Sequence, residues 1–191
     1  MHPNESIQIR GRLVDAMRGH QAHLDFDSAL ENFPPEFRGV PVAGAPHTAW
    51  QLLEHMRIAQ NDILEFSRDS SHESPEWPEG YWPKSEAPRD AKAWDESVAQ
   101  FRRDANEMNK LVSDLQNHLL EPFEHGDGQD LLREALLVAA HNSYHLGQIV
   151  FLRKILEAGA KTRKDNTQDT PVVERLKRQQ SLLDIISDER N

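Results

Sequence analysis

Five residues, His-Asn-Ser-Tyr-His at positions 141–145, carry the strongest chemical signal in the chain. Two imidazoles four residues apart on an α-helix lie on one face, one turn above the other. At that separation two neutral ring nitrogens can converge on one metal ion. Spacing alone is a loose criterion: with 10 histidines among 191 residues, chance supplies roughly half of one such pair. The face the pair occupies is more informative. The stripe around it reads Leu131, Ala135, Val138, His141, His145, Ile149, Leu152 and Leu156, so both rings fall on the side that must be buried. A second stripe, Leu52, His55 with Met56, Ala59, Ile63 and Phe66, carries a third histidine.

Each imidazole brings a donor and an acceptor that an apolar core has to satisfy. One divalent ion would satisfy all three rings at once. Alternatively, each ring hydrogen-bonds a hydroxyl, a backbone carbonyl or a buried water, and physics alone leaves both readings open. The rest of the sequence limits the kind of metal site. A di-iron carboxylate bundle needs Glu-x-x-His pairs, and no glutamate stands three residues before any histidine. There is no His-Glu-x-x-His helix. What remains is a mononuclear site with three nitrogen ligands and open positions for water or substrate, the pattern of a catalytic metal. Zinc and nickel suit imidazole, and iron or manganese stay open, because ligand type does not fix the metal.

The other candidates divide by position. His20 and His23 are three apart and share a face near the end of a first helix, where solvated or capping roles compete with ligation. His47 lies eight residues before His55, about 12 Å along a helix, too far for both to hold one ion. His2, His72, His118 and His125 sit at termini or loop edges and receive no functional assignment. Glu54, Asn142, Tyr144 and Gln148 flank the three histidines, as ring-orienting partners, as a general base, or as surface and packing residues. No catalytic residue is singled out. Trp50, Trp82 and Tyr144 are the candidate substrate contacts, with core packing the alternative for the tryptophans.

Helical periodicity dominates the elements that must position these groups, with no alternating strand pattern. An N-terminal helix is expected over about 6–19 with Ile9, Leu13 and Met17 inward, and His20 and Leu24 extending the stripe. A second begins at His47 or Thr48 and reaches about Ser67. A third runs from Asp90, as N-cap, to Leu119 before Pro122. Its seam of Trp94, Val98, Phe101, Ala105, Met108, Val112, Leu115 and Leu119 is wholly apolar, in alternating steps of four and three. The fourth starts at Gln129 or Asp130 and ends near Ala158, with Gly159 as its C-cap. The fold class is therefore all-α, a four-helix bundle. Long connections span 32–46, with four prolines, and 69–89, where Trp77, Tyr81 and Trp82 favour packing over disorder. The bundle domain is placed at 1–160. A polar linker and an extra C-terminal amphipathic helix (Thr170-Pro171, then Val172, Leu176, Leu183 and Ile186) occupy 161–191, as an ordered appendage or a partner-binding helix.

At 37% hydrophobic and 28% charged, the composition is that of a globular protein. No run of 18 apolar residues exists, so no membrane span is expected. A net charge of −10 with no basic stripe argues against nucleic acid. Cysteine is absent, excluding disulfides, thiolate metal ligands and a cysteine nucleophile. The opening MHPNESIQIRGRL lacks the apolar core of a secretory signal, so a cytoplasmic location is expected.

Three segments, HTAWQLLEHMRIAQNDILEF, WPEGYWP and LLREALLVAAHNSYHLGQIVFLRKIL, in that order and spacing, resemble the DinB-like (DinB/YfiT) superfamily of metal-binding four-helix bundles over about residues 5–158. That resemblance implies one metal ligand from the second helix and a His-x-x-x-His pair from the last, which fall on His55, His141 and His145. It implies a divalent metal activating water or a low-molecular-weight thiol, in a transferase, isomerase or hydrolase acting on a small molecule. It also implies a homodimer, for which two long seams leave apolar surface. The alternative reading is a non-catalytic metal-bound scaffold or interaction module.

Overall fold

The structure, a computed structural model, describes residues 3–19 and 21–168. Among the described residues five α-helices follow one another: α1 (Pro3–Arg18), α2 (Phe26–Leu30), α3 (Ala49–Arg68), α4 (Ala91–Ser113) and α5 (Leu131–Gln168). The fold is all-α, with no strand among the described residues and a single isolated bridge between Pro122 and Asp130. No described helix is long and apolar enough to cross a membrane. The chain divides into two compact units, 1–153 and 154–191, and everything described below belongs to the first except the end of α5. His2, His20 and the expected tail helix over Thr170–Ile186 lie outside the described residues.

The helix starts are written in the sequence. Thr48 accepts from the Gln51 amide while Gln51 caps back onto the Thr48 amide, a full capping box at the head of α3. Asp90 accepts from the Ala93 amide at the head of α4. The four long helices meet in one apolar cluster: Leu13 of α1, Leu64 of α3, Met108 and Val112 of α4, and Leu131, Ala135 and Val138 of α5, joined by Leu119. A second, aromatic group lies where Phe26 stacks on Phe101 at 3.9 Å and Trp94 takes Phe33 and Trp50 on its flanks at 5.2 and 6.4 Å.

Helix ends are less legible. α4 stops at Ser113 rather than Leu119. The Asp114 carboxylate accepts from the Gln116 amide, and the Asn117 side chain donates to the Leu111 carbonyl. These local bonds compete with the helix ladder and end it. Leu115 is consequently exposed, and Leu119 reaches the core from the loop instead. α5 runs straight through Gly159. A glycine ends a helix by taking positive φ, and that conformation falls on Gly19, Gly44 and Gly128 instead. Ala160, Lys161 and Arg163 are good helix formers that carry α5 onward. The buried face of α4 is not purely apolar either, since it includes Ser97 and Asp104.

The two long connections pack on each other beside the head of α3. A Cβ at Gly39 would stand 2.2 Å from Ala87 Cβ, so only glycine allows the approach. The Thr48 hydroxyl donates to the Glu86 carbonyl at 2.6 Å, and the Trp50 indole N–H donates to Ser85 Oγ at 3.2 Å. Of the three aromatics expected to pack in the second connection, Tyr81 and Trp82 do, whereas Trp77 is 71% exposed.

At the far end, Arg10 is buried, 6% exposed, and its guanidinium donates to the carbonyls of Val112, at 2.6 Å, and Asn117. It thereby caps the C-terminus of α4 from α1, where carbonyls lack helix partners and a cation is favoured. Replacing Arg10 with Met strands those carbonyls, and the expected loss is about 2 kcal/mol of unfolding free energy. Urea denaturation with an unchanged slope and a lowered midpoint would show it.

Candidate metal centre

His55 is the seventh residue of α3, and His141 and His145 lie one turn apart on α5. The three offer ring nitrogens that all lie within 4.8 Å of one another. The Nε2 atoms of His55 and His141 are 3.0 Å apart. Two nitrogens each about 2.0–2.1 Å from one tetrahedral ion stand roughly 3.3 Å apart, so the separation is near that of a shared ligand sphere. His55 and His145 are buried and His141 is half-buried.

The hydrogen bonds fix the tautomers. His55 Nδ1 lies 3.0 Å from the Tyr81 carbonyl, which can only accept, so Nδ1 carries the proton and Nε2 offers its lone pair. His145 Nδ1 donates to Gln148 Oε1 at 2.9 Å, leaving its Nε2 likewise unprotonated. In the contact between His141 and His55 the proton therefore belongs to His141 Nε2, since His55 Nε2 must accept. A carbonyl or amide oxygen behind the ring is the arrangement that orients metal-ligating histidines. The donor set thus fits a divalent ion: three neutral imidazoles, with the Nε2 lone pairs of His55 and His145 free and those two rings held from behind.

Electrostatics keep the rings neutral. Burial pushes the His141 pKa down to about 4, with repulsion from His145 and His55 adding to it. Burial also lowers His55, against the Tyr81 carbonyl bond that raises it, and lowers His145.

The connection between α3 and α4 forms one wall. Trp82 lies flat on His55, centroids 3.9 Å apart and planes within 2°. Its other face is stacked by His47 at 3.8 Å, since two rings cannot share one face at that distance. His47 precedes α3, so the helical-rise argument does not describe its position. Tyr81 is pinned independently: its hydroxyl donates to Asp62 Oδ2 at 2.6 Å, and Asp62 Oδ1 faces His72 Nε2 at 2.8 Å. Burial, and then the Asp62 bond, push the Tyr81 phenol up to about 12. The carbonyl that orients His55 thus belongs to a residue tied back to α3 about two helical turns further along.

Of the residues singled out from sequence, the structure brings together His55, His141, His145, Trp82, Gln148 and Tyr144, whose ring meets His145 edge-on at 4.9 Å. Trp50 stands elsewhere. Five residues before His55, it points about 140° around the helix, lining a different cleft of about 540 Å³ with Glu54, Arg57 and Arg103. Glu54 is held there in a two-point bond with Arg57. His23 meets Ser143 Oγ at 2.9 Å, His125 meets the Phe66 carbonyl at 2.8 Å and His118 lies 3.8 Å from Glu121. Sequence reasoning missed the Tyr81 carbonyl, which has no residue-type signal, and Gln60, whose polar character on the apolar face of α3 was a readable clue.

A protein-family model described as DinB superfamily matches residues 19–149. No curated protein and no solved structure matches the chain.

The depressed imidazoles make metal-free stability depend on pH. The unfolded chain takes up protons near the ordinary value of 6.5, whereas folded His141 does so only near 4. Between those values the unfolded state binds more protons, so stability falls as pH drops through that window. Thermal melts of metal-free wild type and His141→Gln from pH 7.5 to 4 are expected to show a shallower acid loss in the variant. Parallel curves would contradict it.

Proposed function

The chain belongs to the DinB superfamily, and from that membership and the geometry of its three histidines we propose that it binds one divalent metal through His55, His141 and His145 and uses it in catalysis. The observation that carries the reading is the convergence of three neutral imidazoles, with the Nε2 lone pairs of His55 and His145 left free. Among the described residues the group numbers three, the count that catalytic sites use while keeping positions free for water or substrate. When bound, a divalent ion in such a site lowers the pKa of a water or thiol, so that a nucleophile forms near neutral pH. Zinc or nickel is the metal proposed, as suits imidazole nitrogen, with iron or manganese the alternatives.

The chain's own groups supply the rest. The Tyr81 carbonyl and Gln148 amide hold two rings in register, and the indole of Trp82 covers His55 and excludes water from that side. Tyr144, 66% exposed beside His145, offers a substrate an aromatic edge from α5. The reaction proposed is transfer or hydrolysis with water or a low-molecular-weight thiol as the activated nucleophile. Metal analysis of protein purified without an immobilised-metal resin is expected to give about one ion per chain for wild type and a loss of it in His141→Ala. Equal metal contents would sink the proposal. The metal-loaded protein, screened with thiol cofactors and electrophilic partners, is expected to turn over, and Trp82→Ala to raise KM while retaining metal.

The outer face of α5 supports a homodimer. Leu137 and Phe151, two heptads apart, are both exposed there beside Leu136. A heptad-spaced apolar row on one helix is self-complementary about a two-fold axis. Light scattering at micromolar concentration is expected to give twice the chain mass, and Phe151→Glu to give the single mass. A monomeric wild type would overturn the dimer.

A further inference from the structure

Two buried polar atoms near the histidines have no hydrogen-bond partner: His141 Nδ1 and Asn142 Oδ1. Orphans of this kind cost free energy and call for a physical account. Here the surrounding bonds supply one. Gln60, 1% exposed in the middle of α3, donates from Nε2 to the Phe101 carbonyl at 2.8 Å. A carbonyl can only accept, so the Gln60 amide is locked with Oε1 facing the other way. Asn142, 9% exposed, donates from Nδ2 into that oxygen at 2.8 Å. Its own orientation is thereby locked too, and Oδ1 is left as a buried acceptor. The Asn142 side chain stands close enough to His141 to raise that ring's basicity.

No donor stands in bonding geometry to this acceptor, His141 Nδ1 included. His141 keeps its proton on Nε2, shared with His55 Nε2 at 3.0 Å, and its Nδ1 is bare. An imidazole that gives its Nε2 lone pair to a cation must carry its proton on Nδ1 instead. The atom without a donor and the atom that would become one are side chains of adjacent residues. We propose that Gln60 and Asn142 form a positioning relay that fixes the metal-binding tautomer of His141, running from His141 Nδ1–H to Asn142 Oδ1, from Asn142 Nδ2–H to Gln60 Oε1, and from Gln60 Nε2–H to the Phe101 carbonyl. The relay rests on the metal reading above and deepens it. His55 and His145 are already set in their ligating tautomers without metal; His141 is the ring that switches. Neither amide touches the ion, so both act through His141.

The test uses the full-length chain, ¹⁵N-labelled at histidine, and zinc as the probe. In zinc-loaded wild type, ring correlations are expected to show His141 protonated at Nδ1 and protected from exchange. Asn142→Leu is expected to weaken zinc binding about 10- to 100-fold, read by competition with a chromophoric chelator, and to remove that protection. Gln60→Leu is expected to cost affinity alone but to add little to Asn142→Leu, because the relay acts as one unit. An Asn142→Leu affinity within about twofold of wild type, or additive losses in the double variant, would reduce both amides to packing residues. If Asn142→Leu does not fold, the wild-type spectrum decides: an unprotected Nδ1–H overturns the relay. Wild type that binds no zinc at all refutes the metal site itself, an outcome distinct from a bound metal without the relay.

Discussion

A neutral imidazole inside a helical bundle has two nitrogens that want opposite things, and the molecule is arranged around that constraint. One nitrogen must donate and the other must accept, and apolar neighbours provide for neither. For His55 the answer comes from a loop, whose Tyr81 carbonyl takes the Nδ1 proton in a hydrogen bond. For His145 it comes from its own helix, three residues on, at Gln148. Both solutions leave Nε2 facing inward. The cost of burying three such rings is what gives the connection between α3 and α4 its shape: it has to bring a backbone acceptor to one edge of a ring and an indole to its face. Asp62 makes that possible, since its grip on the Tyr81 hydroxyl and on His72 fixes the loop to the same helix that carries His55.

The bundle divides its labour accordingly. Apolar packing between α1, α3, α4 and α5 is concentrated around Leu13, Leu64, Met108, Val112 and Leu131–Val138. The histidines begin one turn beyond that cluster along α5. Burial of this kind is worth roughly 25 cal/mol per Å² and has no directional preference, so it fixes which helices meet without fixing ring orientation. Orientation comes from directional bonds, and the interior near the site is correspondingly polar: Gln60 and Asn142 are both buried and bonded to each other. Asp104 is a further case. It is 5% exposed, raised in pKa by burial, and held by Gln100 and Asn61. Its partners lie on α3 and α4, and it belongs to their packing and not to the histidine group.

The same division explains what could be read in advance. Helix starts depend on one or two residues with specific side-chain chemistry, so Thr48 and Asp90 were plain. So was the membership of the histidine group, because burial period places a residue on a face and His55, His141 and His145 are the three that break an apolar stripe. Helix ends depend on competition. At Asp114 the local turn wins over a continuing apolar rhythm, and at Gly159 the helix wins over a glycine, outcomes that a stripe of spacings does not encode. The tryptophans show the same limit. Trp50 and Trp82 are equally aromatic, but the place of Trp50 on α3, about 140° round from His55, turns it to Trp94, while the path of the loop, with Gly39 against Ala87 and the Tyr81 anchors, brings Trp82 to the histidines. A backbone carbonyl has no sequence identity at all, which is why the partner of His55 was invisible.

These facts also separate the parts of the site that can change from those that cannot. The three imidazoles stand on α3 and α5, rigid elements whose relative position is held by a packed core, and a shift of either helix would disturb all three at once. The wall opposite them comes from a connection and from the exposed side chain of Tyr144. Trp82 stands on that connection, stacked on His55 and His47 and edge-on to His145 at 6.2 Å, so another side chain there would alter the surface beside the imidazoles while their helices stay in place. Binding surfaces built on loops over a fixed scaffold vary in this way across folds. It follows that the helices fix the number and protonation of the imidazoles, and that Tyr81 and Trp82 shape the surface beside them. The Tyr81 carbonyl does not share that freedom, because losing it would let the His55 proton return to Nε2 and remove the lone pair that faces the other imidazoles.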